Sequence, residues 1–94
     1  MISRAGITIS ISGPVNFGNV TKVLAEGLAE IEKGAAEVDL STLDGADSSA
    51  ISMMLEWQRA AKRRNRTLAF RNANAKLEGL IRLYGLGSIF PPKE

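Results

Sequence analysis

The sequence predicts an α/β fold: a mostly parallel or mixed β-sheet with its helices on one face, built in β-α-β-α-β-α order. Three observations carry this reading. Short segments alternate apolar and polar residues with period two, as half-buried strands do. Between and after them, apolar residues recur at helical spacing. Each strand-to-strand passage therefore contains a helix, which calls for right-handed crossovers and at least partly parallel pairing. The alternation also argues for a sheet covered on one face only, because strands buried on both faces read as continuous apolar runs.

The elements follow in order. "GITISIS" sets Ile7, Ile9 and Ile11 against Thr8, Ser10 and Ser12, a first strand. Gly13-Pro14 then breaks it, and residues 1–5 leave room for a short edge strand before it. Val20, Val23, Leu24, Gly27, Leu28 and Ile31 form one helical stripe, with Asn16 or Asn19 as its cap and Gly34 at its end. Gly27 on that stripe predicts close approach of a neighbouring element. "AAEVDLS" alternates through Ala36, Val38 and Leu40 as a second strand, and "TLDGAD" is a loop. A helix from about Ser48 to Arg64 places Ile51, Met54, Leu55, Gln58 and Ala61 inward. "RTLAFRN" is a third strand with Leu68 and Phe70 inward. "NAKLEGLIRLYG" is a last helix, capped by Asn74, ended by Gly85, with Leu77, Leu80, Ile81 and Tyr84 inward. Pro91-Pro92 keep the tail from continuing it.

A chain of 94 residues is expected to be one domain, residues 1–94. At this size it buries about 60–65% of its unfolded surface, enough for a small core. No apolar run approaches the roughly 18 residues of a membrane span, and the N-terminus has no signal-peptide-length apolar stretch. The lack of cysteine fits a reducing compartment and removes disulfides and thiolate metal sites. The lack of histidine removes His-dependent triads and the usual zinc sites. There is no phosphate-binding glycine loop of either common type. The inventory points away from an enzyme and away from cofactors.

Charge is unevenly spread. Residues 1–58 carry three basic and eight acidic side chains, and residues 59–94 carry nine basic and two acidic. The dense part is Arg59, Lys62, Arg63, Arg64 and Arg66. Such a cluster suits nucleic acid, an anionic membrane or an acidic protein, or else is a solvated helix end whose cations complement the dipole. No aromatic residues interleave with it, which argues against nucleic acid.

The stretch "VDLSTLDGADSSAISMMLEW" holds the candidate site. Asp47 is placed to cap the helix, leaving Ser48 and Ser49 in its first turn. Free backbone N–H groups there accommodate a phosphate, so either serine is a candidate phospho-acceptor, a contact residue, or part of a plain cap. Nucleophilic catalysis by Ser48 needs an adjacent base, and nothing in the spacing supplies one. Ser52 and Glu56 extend a contact surface along the helix. Trp57 lies off the apolar stripe by about 80–100° at 3.6 residues per turn, which suits either an exposed interface residue or one packed on a neighbour.

A strand ending "VDLS", a variable loop, Asp-Ser-Ser at a helix start and the run "MMLEW" resemble a STAS domain, the family named for sulfate transporters and anti-sigma-factor antagonists. The Gly-x-x-x-Phe lead in "SGPVNFGNVTKVL" fits as well. The resemblance covers nearly the whole chain and implies a sheet with helices on one face. In the antagonists it implies phosphorylation of the serine after the aspartate, here Ser48, by an anti-sigma-factor kinase. Leu55–Arg64 and the ending "LIRLYGLGSIFPP" resemble more closely the MlaB-like group. That likeness implies a cytoplasmic subunit, peripheral to the inner membrane, of an ABC-type phospholipid transporter that maintains outer-membrane lipid asymmetry. Its partner is then the ATPase subunit, MlaF, with no direct membrane insertion. The antagonists' Gly-Leu-Gly after the serines is replaced here by Ala50-Ile51-Ser52, which favours the MlaB-like resemblance.

Overall fold

The computed structural model describes residues 1–84. In chain order these form β1 (Ile2–Ala5), β2 (Thr8–Ile11), β3 (Gly13–Val15), α1 (Val20–Glu32), β4 (Glu37–Asp39), β5 (Leu43–Ala46), α2 (Ser48–Arg63), β6 (Ala69–Arg71) and α3 (Ala75–Leu83). The main sheet has the order β1-β2-β4-β6. β1 and β2 are antiparallel, while β2, β4 and β6 run parallel, with Ile9 opposite Val38 and Val38 opposite Phe70. Mixed pairing and helical crossovers are thus as the sequence predicts.

Period-two alternation decides which face is covered. Ile9, Ile11, Val38 and Phe70 point into the core with the buried residues of the three helices. The other face is polar: the Thr8 hydroxyl donates to Glu37 at 3.0 Å, and Arg71 donates to the same carboxylate at 3.1 Å.

Helix ends show how local chemistry sets the boundaries. Gly34 at φ +119° follows α1, with Ala35 N–H donating to Glu30 carbonyl and Gly34 N–H to Ile31 carbonyl. Asn65 at φ +58° follows α2, with Arg66 N–H to Ala61 carbonyl and Asn65 N–H to Lys62 carbonyl. Both are the paired 6→1 and 5→2 bonds of a Schellman ending. Asn74 caps α3 by accepting from Leu77 N–H at 2.8 Å.

Several expectations are corrected. Gly13-Pro14 does not merely break a strand, and "TLDGAD" is not only a loop. Gly13–Val15 and Leu43–Ala46 pair in parallel as a two-stranded sheet, with a register shift between Gly13 and Pro14. Pro14 sits at that irregularity, where a missing N–H is tolerated. Ile7 is not inward but 55% exposed, because Gly6 at φ +62° turns the chain in a two-residue hairpin corner. Tyr84 is also half-exposed, at the cap position after α3. Asn19 stands at the N-cap position of α1, one of the two predicted, but makes no side-chain capping bond. Gly85 and the Pro91-Pro92 tail lie outside the described residues.

The stripe of α2 is set one position away from its predicted phase. Ala50, Ile51, Met53, Met54, Trp57, Ala60 and Ala61 are buried, so Ile51, Met54 and Ala61 are inward as predicted, whereas Leu55 and Gln58 are half-exposed. Trp57 fixes this phase. Its indole lies on Gly27 of α1, where any Cβ would stand 2.2 Å from the ring, and its N–H donates to Leu24 carbonyl at 3.1 Å. The predicted close approach at Gly27 is therefore the seat of Trp57.

Candidate functional site

The loops that leave the carboxyl ends of β2, β4 and β6 lead into the N-termini of the three helices, the end of an open α/β sheet where ligands gather. Asp47 organises the mouth of α2. It stands in extended conformation and accepts Ser49 N–H at 2.8 Å, the side-chain cap that the sequence predicts. The Ser49 hydroxyl donates to the same oxygen. That hydroxyl bond, aided by backbone N–H groups of Ser49, Phe17 and Ala50, holds the Asp47 carboxyl below the usual carboxylate range, against a smaller opposing effect of desolvation.

The two serines are now distinguishable. Ser49 is 5% exposed and its hydroxyl is committed to Asp47. Ser48 is half-exposed, and its hydroxyl has no hydrogen bond among the described residues. Ser52 is exposed and Glu56 half-exposed. Ser48, Ser52 and Glu56 follow at i, i+4 and i+8, so they line one face of α2. Glu56 pairs with Arg59 one turn on. Trp57 does not belong to this surface. It is fully buried on Gly27, so of the two placements open to it in the sequence it takes the one packed on a neighbouring element, and its assignment as an exposed contact is overturned.

One residue of the site escaped sequence reasoning. Phe17 is 75% exposed. A tight asparagine turn holds it outward: Asn16 N–H donates to Asn19 Oδ1 at 2.9 Å, Gly18 N–H to Asn16 Oδ1 at 2.8 Å, and Asn19 Nδ2 to Pro14 carbonyl at 2.9 Å. Val15 lies opposite Ala46, so the turn that carries Phe17 leaves the β3–β5 pair at the same end as Asp47 and the start of α2. The available signal was compositional: a large aromatic among turn formers, outside any apolar period.

Beside the site, a shallow groove of about 50 Å³ runs between β5 and α3, floored by Leu43, Ala46, Leu77 and Leu80. That is room for a water or two rather than a metabolite. No group of His, Cys, Asp or Glu among the described residues has metal-binding geometry.

The acid dependence follows from Asp47. Its carboxyl titrates lower in the folded than in the unfolded chain, whose value is about 3.9. Its contribution to stability is therefore complete above about pH 4 and is lost as pH falls through the folded value. Asp47→Asn keeps a capping acceptor but removes the titration. The Tm gap between native protein and Asp47→Asn is expected to close as pH is lowered below about 4. A constant gap across that range in thermal melts refutes this.

A family model described as the Mlab-type STAS domain matches residues 2–91. No curated protein matches the chain. Among solved structures, the unphosphorylated anti-sigma factor antagonist SpoIIAA is similar over 100% of this chain and 87% of its own, at 17% identity and a TM-score of 0.76. The phosphorylated form of SpoIIAA, the Bacillus cell fate determinant, matches over 100% of this chain and 90% of its own, at 17% identity and a TM-score of 0.69. A Thermotoga maritima protein assigned as an anti-sigma factor antagonist matches over 100% and 85%, at 16% identity and a TM-score of 0.80. At these identities the likeness is one of fold.

Proposed function

The chain belongs to the STAS-domain family, and from that premise we propose that it is a non-catalytic docking subunit. Its proposed partner is the ATPase subunit of an ABC-type phospholipid transporter. The observation that carries a docking role is that a free, half-exposed Ser48 hydroxyl and an outward-held Phe17 lie just beyond the same end of the β3–β5 pair. An exposed aromatic beside polar groups has the make-up of an interface hot spot. Catalysis is a poor use of the same residues: Ser49 is buried, and an Asp47 carboxyl held low is a weak base. The Mlab-type family match supports the choice of ATPase. On this reading the protein acts at the inner face of the inner membrane, held there by its complex. No helix among the described residues is long and apolar enough to cross a membrane.

A second reading is favoured by a separate observation. The fold resembles SpoIIAA in its unphosphorylated and phosphorylated forms, and Ser48 is the accessible serine at a helix N-terminus. On this reading the protein is an anti-sigma-factor antagonist, and an anti-sigma-factor kinase modifies Ser48. Affinity capture from the native cell, with mass spectrometric identification, separates the two. Stoichiometric recovery of an ABC ATPase supports the first. Recovery of an anti-sigma-factor kinase, with phosphate on Ser48 after incubation with it and ATP, replaces the first by the second. Recovery of neither refutes both.

A further inference from the structure

The end of the molecule away from Ser48 carries a second surface. The C-termini of α1 and α2 meet there, beside the N-terminal ends of the parallel strands. Arg66 donates to Ile31 carbonyl at 3.0 Å, and Arg64 lies 3.8 Å from Glu32. The β1–β2 hairpin corner joins the same end: Arg4 donates to Gly6 carbonyl at 2.8 Å and lies 3.3 Å from Glu30, and Ile7 carbonyl accepts from Ala36 and Glu37.

Six cations gather there, Arg4, Lys33, Lys62, Arg63, Arg64 and Arg66, against the two carboxylates Glu30 and Glu32. Four of them have partners within the molecule: Arg4, Arg64 and Arg66 join the ends of the two helices and the hairpin, and Lys33 pairs with Glu30 at the end of α1 itself. Lys62 and Arg63 are exposed and have none among the described residues. Beside this basic end, Ile7 stands 55% exposed at the tip of its turn. Helix-dipole compensation accounts for some of these cations but not for an exposed aliphatic side chain on a hairpin corner.

We infer that this end is a contact surface for an anionic lipid bilayer. Cations read the headgroup charge, and Ile7 enters the boundary between headgroups and acyl chains. A nucleic acid matches the charge equally well but has no apolar layer to receive Ile7, and a single exposed aliphatic side chain is less than the apolar core that a protein interface buries. The contact is peripheral and involves no membrane span. It lies across the 16 residues of α2 from Ser48, about 24 Å at 1.5 Å per residue, so it does not depend on the docking reading.

The test is flotation of the purified protein with phosphatidylcholine vesicles, with and without phosphatidylglycerol. Binding is expected only to the anionic vesicles and is expected to fall steeply with salt. Lys62→Glu with Arg63→Glu is expected to weaken it at least about tenfold, and Ile7→Ser severalfold. All three positions are exposed, so folding should survive, as thermal melts will verify. Absence of binding to anionic vesicles at low salt overturns the inference. So does an Ile7→Ser variant that binds like the native protein, because plain charge attraction then suffices. Salt-dependent binding to single-stranded RNA or polyglutamate without vesicle binding assigns the surface elsewhere. Capture of the protein partner is expected to be unaffected by these variants, which keeps this result separable from the function proposed above.

Discussion

Trp57→Ala is expected to cost about 3–5 kcal/mol, the range for deleting a large buried aromatic. A domain of this length has about 5–14 kcal/mol in total. The variant is therefore expected to be partly unfolded near physiological temperature, with a Tm lowered by more than about 12 °C. The cost is high because Trp57 is the joint between α1 and α2: its ring fills the notch left at Gly27, and its N–H is spent on Leu24 carbonyl. The reverse change tests the same joint. Gly27→Ala pushes a methyl into a rigid indole and is expected to cost about 2 kcal/mol or more. In the Trp57→Ala background the same methyl meets empty space. The two changes should then be markedly less than additive in a double-mutant cycle read by denaturant unfolding. Additive effects, or a Trp57→Ala Tm within a few degrees of native, would show that the indole is not the joint described.

Ser48→Arg is expected to abolish partner copurification while leaving Tm nearly unchanged. The Ser48 side chain is half-exposed and free, so a larger residue there meets the partner rather than the core. Phe17→Ala is expected to weaken the complex by about 2 kcal/mol or more, some thirtyfold in Kd. Ser49→Ala is the contrasting control. It removes a buried hydroxyl from Asp47, so its effect belongs to stability, with binding by the folded fraction retained. Isothermal titration against the captured partner, paired with thermal melts, separates these cases. Native affinity in both Ser48→Arg and Phe17→Ala sinks the proposed docking surface.

What was legible in the sequence was mostly local. Asp47, Asn74 and Gly34 announce themselves because a cap needs only its own helix turn. Gly27 was legible as a point of close approach because glycine on a buried stripe has few other uses. Its partner was not, because the phase of α2 depends on a residue 30 positions away in sequence. Trp57, polar enough to stand outside, is drawn in by the space at Gly27. Ile7 misled for another reason: its alternation continues across a hairpin corner, and period-two patterning contains no information on where a strand stops. β3 and β5 were hidden by composition. "GPV" and "LDGA" are written in turn residues, and only their pairing with each other makes them strands. Phe17 is legible in the sequence only as the Phe of the Gly-x-x-x-Phe lead; the apolar period excludes it from the core, and that exclusion is what makes an aromatic available to a partner.

The neighbouring serines at the mouth of α2 divide their duties, and this has a consequence for how such a protein can change. Ser49 answers to folding, because it is buried on Asp47. On the proposed docking role, Ser48 answers to the partner. A substitution at Ser48 is thus visible to selection almost entirely through the partner, while one at Ser49 is visible whether or not a partner exists. The chain is free to exchange one recognition chemistry for another at a single codon, hydroxyl to bulky or charged, without first acquiring compensating changes in its core. On that role, a change of partner that begins at Ser48 leaves the buried bond between Ser49 and Asp47 intact.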